Sequence, residues 1–101
     1  MLNKFNSEGI KDGLWNEHWS NGQLFSEGSY LHDKQVGLWK DYYDDGSLMF
    51  EGNYIYNERD GLWKHYYNNG KIASEGNYLH DKQVGLWKYY NADGNLTKEI
   101  Y

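Results

Sequence analysis

Residues 61–78 read GLWKHYYNNGKIASEGNY. Two aromatic-rich segments flank Asn69-Gly70, a dipeptide suited to the central positions of a type I′ turn, where both residues need positive φ. The stretch therefore reads as a β-hairpin. A two-residue turn at that point pairs Asn68 with Lys71, Tyr67 with Ile72, Tyr66 with Ala73, His65 with Ser74, Lys64 with Glu75, and Trp63 with Gly76. Side chains alternate along a strand, so one face carries Trp63, Tyr67, Ile72 and Tyr78. Glycine across from Trp63 leaves bare backbone that an indole ring covers.

The hairpin recurs every 24 residues. Gly-Leu-Trp begins at Gly13, Gly37, Gly61 and Gly85, and the turn glycines are Gly22, Gly46, Gly70 and Gly94. Glu27, Glu51, Glu75 and Glu99 keep the same phase, as do Gly28, Gly52 and Gly76, with Ile100 in the fourth copy. Segment 26–40, SEGSYLHDKQVGLWK, returns at 74–88 as SEGNYLHDKQVGLWK, which marks a duplicated two-repeat unit. A fixed short period is the signature of a repeat array in which each unit packs on its neighbours. The repeats are assigned to residues 13–36, 37–60, 61–84 and 85–101. Residues 1–12 form a degenerate lead-in, with a leading strand at 2–6, and residues 1–101 make one domain.

Short polar loops at 31–36, 55–60 and 79–84 are expected to join the hairpins. The expected fold is all-β: an elongated single-sheet antiparallel meander of four 24-residue hairpin repeats, with about eight strands. The aromatic face continues through Trp15, Trp19, Leu24 and Tyr30, then Trp39, Tyr43, Leu48 and Tyr54, and ends with Trp87, Leu96 and Ile100. The opposite face is expected to hold cross-strand ion pairs Lys40–Glu51, Lys64–Glu75 and Lys88–Glu99. Leu14, Leu38, Leu62 and Leu86 share that face with Tyr42, Tyr66 and Tyr90.

Composition supports this reading and removes several function classes. The chain of 101 residues holds 11 Tyr, 5 Trp and 3 Phe, too many aromatics for a solvated coil. It has no cysteine, which excludes disulfide scaffolds, thiol chemistry and Cys-based metal sites. A net charge of −5 argues against duplex nucleic acid or anionic lipid as the main partner. No apolar run is long enough for a transmembrane helix, and MLNKFNSEGI lacks a signal-type apolar stretch, so a cytoplasmic location is expected.

Candidate chemistry is sparse. His32-Asp33 and His80-Asp81 invite a metal or acid–base reading, but they stand about 19 Å apart in a meander and cannot share an ion. Asp41 with Asp44-Asp45-Gly46 falls short of the roughly six convergent oxygens that calcium needs. Neither a nucleophile elbow nor a phosphate-binding loop occurs. The expectation is a non-enzyme with no cofactor and no metal. An aromatic platform for single-stranded nucleic acid is opposed by the acidic charge and by a single arginine, Arg59.

GLWKxYYxxGxLxxEGxY at this period resembles the variant MORN repeat (membrane occupation and recognition nexus) over residues 13–101. The resemblance implies an elongated β-meander of hairpins. It also implies a grouping with bacterial antitoxin components of toxin–antitoxin systems, while better-known MORN proteins are described as membrane-associated scaffolds. Those archetypal repeats centre on Tyr-x-Gly-x-Trp; here six residues separate Tyr30, Tyr54 and Tyr78 from the next Gly-Leu-Trp. The expected function is non-catalytic protein binding, antitoxin- or immunity-like, with a membrane-associated or self-associating scaffold as the alternative. Leu38, Tyr42, Leu62, Tyr66 and Tyr90 are the candidate interface residues, because Tyr brings contact area at low entropic cost. The partner is expected to be another protein or a second copy, not nucleic acid.

Overall fold

The computed structural model describes residues 3–101. Eight strands form one antiparallel sheet in chain order: β1 Gly13–His18, β2 Leu24–Leu31, β3 Lys34–Tyr42, β4 Leu48–Ile55, β5 Glu58–Tyr66, β6 Ile72–Leu79, β7 Lys82–Tyr90 and β8 Leu96–Ile100. The sheet is a slab of 49 × 33 × 14 Å. Its radius of gyration is 15.3 Å, against about 13 Å for a compact chain of this length.

Two kinds of turn alternate, and they exchange the places expected from the sequence. At Asn69-Gly70 only Gly70 has positive φ, at 87°. The Gly70 amide donates to the Tyr67 carbonyl at 2.9 Å, and the Tyr67 amide donates to the Lys71 carbonyl at 2.8 Å. This is a three-residue loop: a turn closed by a left-handed glycine, not a type I′ turn. The Asn69 side chain fixes it by accepting from the Lys71 amide at 2.9 Å. Asn21 does the same for Gln23, and Asp45 for Ser47. The connections expected as six-residue loops are instead two-residue turns with both central φ values positive: His32-Asp33, Tyr56-Asn57 and His80-Asp81. The rest of each expected loop is strand.

Registers follow from the turns. Trp63↔Gly76, Lys64↔Glu75 and His65↔Ser74 pair as expected, but the third residue of the Asn-Gly loop shifts the ladder so that Tyr66 faces Ile72 rather than Ala73. Residues paired across a ladder project to the same side. Ile72, and likewise Leu48 opposite Tyr42 and Leu24 opposite His18, therefore leave the tryptophan face for the tyrosine–leucine face. A second irregularity occurs beside each two-residue turn, where Gly28, Gly52 and Gly76 fall within the register shift. β8 lacks the first shift, so Lys88 pairs with Lys98 and Trp87 with Glu99. The expected Lys88–Glu99 pair is consequently out of register, and Ile100, expected on the buried face, is 83% exposed. Of the expected strand at 2–6, position 2 lies outside the described residues; Phe5 makes an isolated bridge to Lys11, and the Asn3 amide donates to the Leu14 carbonyl at 2.7 Å.

The core is a single aromatic file. Phe5, Trp15, Tyr30, Trp39, Tyr54, Trp63, Tyr78 and Trp87 meet edge to face in sequence, with ring centroids 5.0–6.2 Å apart. Such pairs contribute about 0.5–1.5 kcal/mol each beyond area burial. The four tryptophans of this file are 4–9% exposed. Trp39, Trp63 and Trp87 each donate Nε1–H to a carbonyl ten residues earlier, on Ser29, Asn53 and Asn77, at 3.0–3.1 Å. Trp15 Nε1 has no such partner. The glycine beneath each ring belongs to the preceding strand, not to the expected partner: Cβ atoms built on Gly28, Gly52 and Gly76 would lie within the indoles of Trp39, Trp63 and Trp87.

A second file ties hairpin to hairpin at the three-residue turns. Trp19 Nε1–H donates to the Tyr42 carbonyl at 3.0 Å, Tyr43 OH to Tyr66 at 2.7 Å, and Tyr67 OH to Tyr90 at 2.6 Å. In the fourth repeat Asn91 takes this position and caps its own turn, accepting from the Asp93 and Asn95 amides at 3.0 Å.

Candidate functional site

The alternation of strand residues gives the two faces opposite characters. On the aromatic side the rings of Trp39, Trp63 and Trp87 cover glycines and meet tyrosines edge to face, so they are closed to a stacking ligand. A shallow cleft of about 190 Å³ remains there, lined by Asp41, Phe50, Tyr54, Arg59, His65 and Tyr78 among others. Burial, with Glu17 nearby, raises the Asp41 pKa, and burial lowers that of His65, which stacks on Phe50 with centroids 4.4 Å apart. Arg59 is already engaged: its Nε–H donates to Asp81 at 2.5 Å, Nη1–H donates to the Tyr78 hydroxyl at 3.0 Å, and its guanidinium lies 4.2 Å over the Tyr78 ring. The bond to Arg59 holds the Asp81 carboxyl below its ordinary value. The arginine of this cleft is thus committed to Asp81 and Tyr78.

The other face carries the candidate interface. Leu14, Leu38, Leu62 and Leu86 form a ridge of aliphatic side chains, 46–56% exposed. Successive members sit two strands apart, about 9.5 Å. Hollows lie between them. One runs from Leu14 to Leu38 over Gly28 and Ser29, and another from Leu38 to Leu62 over Gly52 and Asn53. The hollows exist because glycine carries no side chain there while tryptophan covers its far side.

Tyr42, Tyr66 and Tyr90 lie on this face, half-buried, so all five candidate residues are brought together. Their rings are less free than the leucines. Tyr42 OH donates to Glu27 Oε1 at 2.6 Å, and Tyr66 OH to Glu51 Oε1 at 2.7 Å. Partial burial, then these bonds to carboxylates, pushes both phenols up to about 12. Lys40 faces Glu51 and Lys64 faces Glu75 in register as expected. The ion pairs themselves are not formed: among the described residues the only ion-pair contacts within 4.0 Å are Arg59–Asp81 and His80–Glu58. The Tyr66 hydroxyl holds Glu51 instead, and the Tyr42 hydroxyl holds Glu27. The exposed ridge of Leu14 and Leu86 was legible from the phase of Gly-Leu-Trp but was absent from the candidate set.

The acidic and histidine motifs remain dispersed. His32-Asp33 and His80-Asp81 are turn residues, and Asp45 is occupied by Ser47, whose amide and hydroxyl both donate to it and lower its pKa. No group of three or more metal-ligating side chains converges among the described residues. No helix of the described residues is long and apolar enough to cross a membrane.

A one-layer array of hairpin repeats with an exposed aliphatic ridge defines a repeat module that presents a surface. The chain belongs to the MORN repeat variant family, whose pattern matches residues 11–32, 35–56, 59–80 and 83–101. Comparison with curated proteins gives no match.

Proposed function

We propose that this protein is a non-catalytic protein-binding module whose binding surface is the leucine–tyrosine face. The observation that carries this reading is the ridge of four leucines, about half exposed, with glycine-floored hollows between them. An exposed aliphatic ridge flanked by a row of charges is the kind of feature that marks an interaction site. The finer reading, an antitoxin- or immunity-like partner that masks another protein, rests on family resemblance. A second reading, a self-associating scaffold, is favoured by the alternation of charge along the same face.

The test is capture of partners from native host lysate by the wild-type chain and by a Leu38→Ala/Leu62→Ala variant. Residues that dominate binding cluster near the centre of an interface and cost about 2 kcal/mol or more when truncated. A stoichiometric protein bound by the wild type and lost from the folded variant is the expected result. Equal retention by both would remove this face as the binding surface, and lipid as the sole captured material would replace protein binding with membrane association.

A further inference from the structure

Three rows run across the strands of the leucine–tyrosine face, and each alternates in kind from one strand to the next. Glu27, Lys40, Glu51, Lys64, Glu75 and Lys88, on β2 to β7, are consecutive register partners of alternating sign. On one side of this row, Leu38 and Leu62 stand on odd strands opposite Asn53 and Asn77 on even ones. On the other side, Tyr42 and Tyr66 stand on odd strands opposite Leu48 and Ile72 on even ones.

We propose that this face is covered by a second copy of this chain, in a two-fold dimer whose axis runs parallel to the strands between β4 and β5. The inference rests on the binding-face reading above and names its occupant. Such an axis places β2 over β7, β3 over β6 and β4 over β5, so every odd strand meets an even one. Glu27 then faces Lys88 of the second copy, Lys40 faces Glu75, and Glu51 faces Lys64. All six charges meet the opposite sign. The same operation sets the leucine of one copy over the polar position between leucines of the other. Leu62 enters the hollow over Gly52 and Asn53. Tyr42 and Tyr66 meet Ile72 and Leu48. An in-plane axis perpendicular to the strands would lay each charge on its own copy, and like-charge juxtaposition opposes it.

Other features of the face agree. Lys40, Lys64 and Lys88 have no carboxylate within 4.0 Å among the described residues, so their ammonium groups are available across an interface. Two sheets of the same twist stack in aligned fashion, side chains interdigitating. A slab 49 by 33 Å offers room for the roughly 800 Å² per partner of a specific interface.

Sedimentation velocity on the full chain, across a concentration series, is expected to show a species of twice the 12.0 kDa chain mass. Lys40→Glu and Glu75→Lys, each alone, put like charge on like twice per dimer and are expected to weaken dimerisation about tenfold or more. An equimolar mixture of the two variants restores both opposed pairs, so it should dimerise as tightly as the wild type. Positions 40 and 75 lie on β3 and β6 and are not register partners, so rescue by mixing reports contact between copies. Circular dichroism of each variant confirms the fold. A wild type that stays monomeric at every concentration overturns the dimer, as does a dimer that both variants retain or that mixing fails to restore. A monomeric wild type whose foreign partner still depends on Leu38 and Leu62 would remove the second copy while leaving the binding face in place.

Discussion

Trp39, Trp63 and Trp87 are each fixed by three contacts of different kinds. The Trp63 ring lies against Gly52, its Nε1–H donates to the Asn53 carbonyl, and its edges meet Tyr54 and Tyr78. The glycine is required by space, since any Cβ at position 52 would sit inside the indole. Its φ is not in the left-handed region, so alanine there is wrong for packing alone. Gly52→Ala should therefore destabilise by about 1–3 kcal/mol, the range for overpacking. The shift is measurable as a lower urea midpoint with tryptophan emission moved to the red. An unchanged midpoint would show that the indole can swing away at little cost.

At the scale of the element, the sheet is made by two turns that solve the same problem differently. The three-residue turns use glycine at the one left-handed position and an Asn or Asp side chain to hold the next amide. The two-residue turns place ordinary residues at two left-handed positions, with φ 50° and 68° at His32 and Asp33. Left-handed backbone costs an ordinary L-residue about 1–2 kcal/mol, less for Asn and Asp and little for Gly. Replacing His32-Asp33 by Asn-Gly should thus raise stability by about 1 kcal/mol, read as a higher urea midpoint at unchanged slope. A loss of stability would mean that these side chains hold the turn by contacts of their own. The period and phase of the repeat, the strand count and the tryptophan–tyrosine face were legible, because glycine and aromatic positions carry them directly. The turn types were not. Asn69-Gly70 suits either turn, and the choice rests on the φ of Asn69, which its own side chain decides by holding Lys71. His32-Asp33 carries no glycine to announce a tight turn, so the ladder on either side imposes it. The five candidate residues share a face as expected, yet Ile72 and Leu48 joined them only through the shift at the turn.

At the scale of the molecule, every substantial strand contact is with the neighbour in sequence. Stability should then be close to a sum of repeat and nearest-neighbour terms. Deleting residues 37–60 joins Val36 to Gly61 in phase and leaves six strands. That chain is expected to fold cooperatively, with the urea m-value reduced by about a quarter in proportion to the surface it buries. A broad, non-cooperative transition would show that the four repeats are not interchangeable units. The same linear order has a mechanical consequence. β1 and β8 lie at opposite edges of the slab, so tension applied across them pulls perpendicular to the strands. The backbone bonds are then loaded one ladder at a time rather than all together. Under load the sheet peels like a zip at low force, lengthening hairpin by hairpin, and each hairpin can close again while its neighbours hold.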